Sequence, residues 1–267
     1  MAAGLVAKKS HATRLATPKG TFELVTWNMR GATGAGLSTW TTPLQCSGVY
    51  CLQECGSPEW VQELKPVQFV GQKTDPVRFG TRHTHTVVHV EWTRSVAGNP
   101  RCSIGIVISP GVLKHFGDNL VVSALWAKDP EGGVRPILYV ILGNKLLIAS
   151  VHAPSGGGAG TLAYVDETIG ILSSKVGVTA GIVAGDFNTP PPAAAAAAGG
   201  AAAAVGAAAG GAAAAPDVKT VAASAATHGK GKLLDYAKSW GGVGLAPAGA
   251  GLSGFSDHVA QKYTVTI

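Results

Sequence analysis

Charge is scarce in this chain. Only 13% of its 267 residues are Asp, Glu, Lys or Arg, with 21 basic against 15 acidic side chains and a formal net charge of +6. A basic excess this moderate suits a polyanionic partner, DNA or an anionic lipid surface, without establishing one. Long apolar runs are missing too. None approaches the roughly 18 residues that a membrane span needs, so no transmembrane segment is expected. Cysteine is limited to Cys46, Cys51, Cys55 and Cys102. The absence of any CxxC pair argues against a zinc site, and spacing alone does not choose among the three possible disulfide pairings. Cys51 sits inside an apolar run and reads as a small buried hydrophobe. No boundary linker divides the chain, whose length suits one large α/β domain over residues 20–267, preceded by a polar, flexible leader over residues 1–19. The leader's apolar core is too short for a signal peptide, which leaves a cytoplasmic protein or a secreted one whose signal has been removed.

What the sequence does hold is a repeated pattern, an apolar run that stops on polar residues. GIVAGDFNTP, Gly181 to Pro190, reads as a buried strand delivering Asp186 and Asn188 to a sheet edge. FELVTWNMR ends on Asn28, GVYCLQECG on Glu54 and LLIASVHAP on His152, while GFSDHVA carries Asp257 and His258 into a final strand. A single run of this kind is equally well a strand followed by an Asx turn. Five together supply hard oxygen ligands, imidazoles for proton transfer and amide donors for phosphate oxygens, the inventory of metal-assisted phosphodiester hydrolysis. Glu54 is the best metal-ligand candidate, because a carboxylate closing an apolar strand carries a desolvation cost that a divalent cation offsets.

WN, QE, VHAPS, GDFN and SDH, in this order, resemble the endonuclease/exonuclease/phosphatase superfamily. More narrowly, TWNMRGATG, CLQECGSP, NPRCSIGIVIS, AGDFNTP, LLDYA and SDH are similar to the catalytic B subunit of cytolethal distending toxins. The resemblance spans Thr21 to Ile267 except for one poorly matching tract. It implies an α/β, four-layered sandwich of two packed, mainly antiparallel sheets flanked by helices. It implies a DNase that nicks DNA with Mg2+, Mn2+ and Ca2+ being the alternatives, or a phosphatase acting on phosphoinositide lipid head groups through the same site. Secretion and accessory toxin subunits follow from the same likeness. Motif by motif, it makes His152, His258, Asp235 and Asp186 catalytic, with Asp235 of LLDYAKSW orienting and charging His258. It assigns phosphate binding to Arg101, Asn188 and Asn28, and metal binding to Glu54, Asp257 and Asn28. One departure is visible, since His152 finds no clear partner carboxylate between Val67 and Glu91. A non-catalytic binding module is a third reading, opposed by the completeness of the polar set.

Elsewhere the pattern predicts strands over 87–92, 103–109, 121–127 and 137–142, with a tight Gly143–Asn144 turn into residues 145–152. Leu37, Trp40 and Leu44 predict a short helix that Pro43 interrupts, and residues 59–64 another helical turn. His83, His85 and His89 alternate as on a strand surface, with no acidic neighbour before Glu91 to suggest a metal. Leu162, Val165, Ile169, Leu172 and Val176 predict an amphipathic helix capped by Thr161 and ended by Gly177. Residues 193–215 are an Ala/Gly-rich low-complexity insertion with nothing polar to form a site. Cys55 and Cys102 each follow a candidate site residue and are expected near each other.

Overall fold

The computed structural model describes residues 20–31, 40–67, 77–92, 102–128, 133–155, 158–175, 177–191, 203–204, 217–223, 225–250 and 256–267. Arg101, Leu37, Val176, the leader and most of the Ala/Gly tract lie outside the described residues. Among the described residues, fifteen strands form two sheets. The first, in the order β14 (Gly244–Ala250), β15 (Gln261–Thr266), β1 (Thr21–Asn28), β2 (Val49–Gln53), β6 (Ile104–Ile108), β5 (His85–Val90), β4 (Val77–Arg82), β3 (Lys65–Val67), has eight strands. The second has seven, in the order β11 (Ala203–Ala204), β12 (Lys219–Val221), β13 (Asp235–Trp240), β10 (Ala180–Asp186), β9 (Leu146–His152), β8 (Val134–Leu142), β7 (Leu120–Lys128). Each sheet is antiparallel except for one inner pair. β1 runs parallel to β2, and β9 to β10.

Side chains alternate between the faces of a strand, so the inward rows can be followed to their ends. Leu24, Val49, Cys51, Ile104, Ile106 and Ile108 of the first sheet meet Leu138, Val140, Ile148, Ile182, Ala184 and Ala237 of the second in one apolar core. Continuing the same rows by two residues at a time brings Thr26 and Asn28, Gln53, Ser150 and His152, and Asp186 onto the same inner faces. The apolar core thus gives way to polar groups at one end of the sandwich. Beneath that end, Thr26 Oγ1 donates to Gln53 Oε1 at 3.2 Å, and Gln53 Nε2 donates across to Ser150 Oγ at 2.9 Å. A short hydrogen-bonded layer therefore joins the two sheets.

The outer face of the second sheet is covered by α2 (Gly158–Ser173), which buries Tyr164, Val165, Ile169 and Leu172 against Leu147, Ala149, Val151 and Val183. The helix begins three residues before the expected Thr161 cap. Thr161 lies inside it and donates to the Pro154 carbonyl at 3.3 Å, while Leu162 is only half-buried. A short α1 (Pro110–His115) starts on Ser109, whose Oγ accepts from Val112 N, with proline in the first turn. The outer face of the first sheet lies under loops and two 3-10 turns, Pro43–Gln45 and Glu59–Glu63, with Trp40 and Leu44 packed on Trp27, Tyr50 and Leu52. On this face the histidine expectation needs correction. His83 sits in a turn at φ 52°, whereas His85 and His89 are buried, their Nε2 atoms 2.8 Å from the carbonyls of Cys46 and Gly56. Aromatic cover over the sheet, invisible to strand alternation, accounts for the difference. The expected tight turn is present, with Gly143 and Asn144 at φ 58° and 59° and Lys145 N donating to Leu142 O. No helix among the described residues is long and apolar enough to cross a membrane.

Candidate functional site

The ends of the two inner parallel pairs supply most of the candidates. β1 ends on Asn28 and β2 one residue before Glu54, while β9 ends on His152 and β10 on Asp186. In register, Asp186 stands opposite His152 on one side and Asp235, the first residue of β13, on the other. Pairing alone thus lines up two carboxylates and an imidazole on one face. The second sheet is tied to the first at this end by Asn28 Nδ2, which donates to Asp186 Oδ2 at 2.9 Å. Asp186 Oδ1 accepts from Asn188 N at 2.8 Å, and Asn188 Nδ2 donates to the Ala153 carbonyl at 2.8 Å. His258 Nδ1 lies 2.8 Å from Asp235 Oδ2. Its Nε2 is 3.8 Å from Asp186 Oδ2, which His152 Nε2 approaches from another direction at 3.9 Å. Glu54 Oε1 is 3.7 Å from that same His152 atom.

The loops that carry these groups are held in costly conformations. Arg30, Glu54 and Asn188 have φ of 52°, 45° and 51°, where a side chain crowds its own backbone at about 1–2 kcal/mol per residue. Four successive carbonyls keep the Glu54 loop in place. Those of Gln53, Glu54, Cys55 and Gly56 accept, in turn, from Met29 N, Gly31 N, Trp40 Nε1 and His89 Nε2.

Burial shapes the protonation of the site. It pulls the His152 imidazole below its ordinary value despite the opposing charges of Asp186 and Glu54. Burial, with the Asp235 charge added, pushes the Asp186 carboxyl up. Burial also works against charge on His258, but the hydrogen bond and charge of Asp235, helped by Asp186 and Asp257, outweigh it and raise the imidazole to about 9. This agrees with the expected pairing of Asp235 and His258. Nδ1 of His152 is buried and has no hydrogen-bond partner among the described residues, which leave out residues 68–76 of the interval 67–91. Glu91 instead accepts from Ser57 and Gln62.

Asp257 lies at the rim, 3.8 Å from Arg30 Nε and 3.5 Å from His228 Nε2. His228, Asp257 and His258 bring ligand-type atoms within 4.8 Å of one another, as do Asp186, Asp235 and His258. Glu54 belongs to neither group; its Oε1 lies against His152, while Asn28 bonds Asp186 and Asp257 stays at the rim. The sequence reading passed over four residues here. Gln53 braces the sheets, Arg30 and His228 flank Asp257, and Arg135 places a buried guanidinium 4.9 Å from the Trp92 ring centroid, where its charge helps lower His152. Arg135 is the second residue of the otherwise apolar β8, a polar group near a strand end as in the five motifs. No disulfide joins any of the four cysteines in the structure. Cys51 is buried as expected, and Cys55 donates to the carbonyl of Ser103, next to Cys102.

No family model matches the chain, and no curated protein does. Solved structures do match. A chain of the Haemophilus ducreyi cytolethal distending toxin aligns with TM-score 0.63 at 19% identity, covering 91% of this chain and 97% of that one. The cytolethal distending toxin of Actinobacillus actinomycetemcomitans gives TM-score 0.59 at 18% identity, over 91% and 97%. A Bacteroides vulgatus endonuclease/exonuclease/phosphatase gives 0.54 at 14%, over 92% and 99%. The fold is that of the endonuclease/exonuclease/phosphatase proteins. In this chain the endonuclease/exonuclease/phosphatase fold sets its two inner parallel pairs facing each other, and the polar cluster occupies the end where both pairs terminate.

Proposed function

We propose that the protein is a divalent-metal-dependent phosphodiesterase that nicks DNA. The observation that carries the reading is the convergence of Asp186, the Asp235–His258 pair and His152 at one end of the sandwich, two imidazole Nε2 atoms lying 3.8 and 3.9 Å from one buried carboxylate oxygen. The donor set fits a hard cation. Asp186 and Asp235 face each other in register at 1% and 0% exposure, and such a pair of carboxylates is relieved by magnesium or manganese. Glu54, with Asn28 and Asp257 nearby, would hold it. Bound there, the cation would polarise the phosphate and offset charge on the leaving oxygen.

The protein's own groups do the rest. His258, protonated at neutral pH, presents an N–H and a positive charge to a phosphate oxygen whose negative charge grows in the transition state. Asp186, held from two sides by Asn28 and Asn188, takes the proton of the attacking water. The water oxygen bonds to phosphorus as the bond to the leaving oxygen breaks. Asn188 and Arg101 are proposed to bind phosphate oxygens. His152, neutral and boxed in by Glu54 and Asp186, donates through Nε2. The reading is tested by incubating supercoiled plasmid with the purified protein in magnesium and in chelator. Nicked circles in magnesium alone are expected. Intact plasmid beside phosphate release from a phosphoinositide would transfer the site to a lipid phosphatase, and inertness toward both would leave a binding module.

A further inference from the structure

Residues 227–234 form a hairpin rooted in the candidate site. Thr227 N and His228 N both donate to the Lys232 carbonyl at 2.9 Å, and Gly231 N closes the turn on His228 O. Thr227 Oγ1 accepts from Leu234 N and Asp235 N at 2.8 and 3.0 Å, so the base of the hairpin is fixed to the residue that pairs with His258. The other side is fixed as well. Gly229 N donates to Asp257 O and Val259 N to Thr227 O, each at 2.7 Å, and His228 forms a backbone bridge with His258. The arm is therefore positioned by both neighbours of the His258 imidazole.

Its chemistry is that of a donor. Lys230 N donates to His228 Nδ1 at 3.0 Å, which leaves Nε2 as the ring's donor atom. That N–H is at the rim, with the ring edge-on to His258 at a centroid distance of 4.8 Å. Lys230 and Lys232 at the tip are exposed, with Gly229 before and Gly231 between them, while Leu233, which follows, is turned inward and packs against the apolar cluster under α2. A tip without an apolar side chain has nothing to insert below lipid head groups, which interfacial anchors need. Lysines on a short, backbone-fixed arm do suit the repeated phosphates of a polynucleotide strand.

We infer that the His228–Lys230–Lys232 hairpin is a docking arm for the backbone phosphates that flank the reacting one, and that it makes the site selective for a polynucleotide over a small phosphate ester. The inference rests on the phosphodiesterase reading above. It is tested by equilibrium binding of a labelled DNA duplex in chelator across a potassium chloride series, with K230Q/K232Q compared to K114Q/K175Q. The second pair removes the same charge near α1 and after α2, at the end of the sandwich where β1 and β10 begin. Losing two phosphate contacts should flatten the slope of log affinity against log salt by about 1.8, at about 0.9 per contact, in K230Q/K232Q alone. Equal slopes in both double variants overturn the arm. So does a K230Q/K232Q protein that keeps the wild-type DNA slope but loses binding to phosphatidylinositol phosphate vesicles, which would make the hairpin a lipid-headgroup surface. Binding is read without turnover. Failure of the wild-type protein to nick supercoiled plasmid in magnesium would instead remove the phosphodiesterase reading and leave the binding result standing by itself.

Discussion

His89 is a fully buried histidine on the outer face of the eight-stranded sheet, its ring tilted against Trp40 and its Nε2–H donated to the Gly56 carbonyl. Nδ1 has no partner among the described residues, so a second proton would place an unsatisfied N–H and a charge in an apolar layer. Burial accordingly pulls the imidazole down to about 4. The folded state thus binds this proton less readily than the unfolded chain, whose histidine titrates near 6.5. The stability linked to His89 is present above pH 6.5 and is lost as the pH falls from about 6.5 to about 4, by about 3 kcal/mol at roughly 1.4 kcal/mol per pKa unit. Other groups titrate over the same range, so the comparison is with H89Q. Urea unfolding of both proteins across this range should show a difference in stability that shrinks toward acid by about that amount. A constant difference would mean that the ring is charged or solvated in the folded state. In the sequence this residue is one of three alternating histidines. Nothing local marks it as buried, because Trp40 and the Gly56 loop reach it from 49 and 33 positions away.

At the level of elements, the position of the site depends on how closely β9 and β10 approach. A Cβ on Gly185 would lie 1.9 Å from the Val151 carbonyl oxygen, so only glycine fits between Ala184 and Asp186 without spreading the ladder that sets Asp186 opposite His152. G185A is expected to cost at least about 1–3 kcal/mol and to lower metal-dependent turnover through displacement of Asp186. Gly111 in α1 is the matched control, since its Cβ would meet nothing within 4 Å. G111A should be neutral or slightly stabilising. Equal denaturation midpoints for the two variants would show that the strands can move apart freely. The strand ends themselves were legible in the sequence, because an apolar run that halts at Asn28, Glu54, His152 or Asp186 has the same appearance in one dimension as in three. The extent of α2 was less legible. Its first turn, from Gly158, contains two glycines and little apolar periodicity, and packing against the second sheet decides that it is helical.

Across the whole molecule, the two sheets are joined by the bonds among Thr26, Gln53 and Ser150 just beneath the site, where Ser150 Oγ also donates to the Leu52 carbonyl at 3.1 Å. Removing one partner leaves the others buried and unsatisfied, so Q53L should destabilise by about 1–3 kcal/mol. Q53L/S150A should cost less than the sum of the single variants, because the apolar replacements then face each other. Strict additivity in a denaturation cycle would show that the layer does not couple the sheets. The sequence by itself determined the α/β class and the strand-end identities and, through motif likeness rather than periodicity, the two-sheet architecture and the Asp235–His258 pairing. Those features reside in runs of about ten residues, the range over which side-chain alternation and turn chemistry act. Only the tertiary structure decided that Asn28 bonds Asp186 across 158 positions, that Arg30 and His228 flank Asp257, that Arg135 is buried near His152, and that Asp186 with Asp235 and His228 with Asp257 form overlapping groups sharing His258. These depend on which strands become neighbours and how two faces dock, and a strand's local pattern says which face is buried but not what it is buried against.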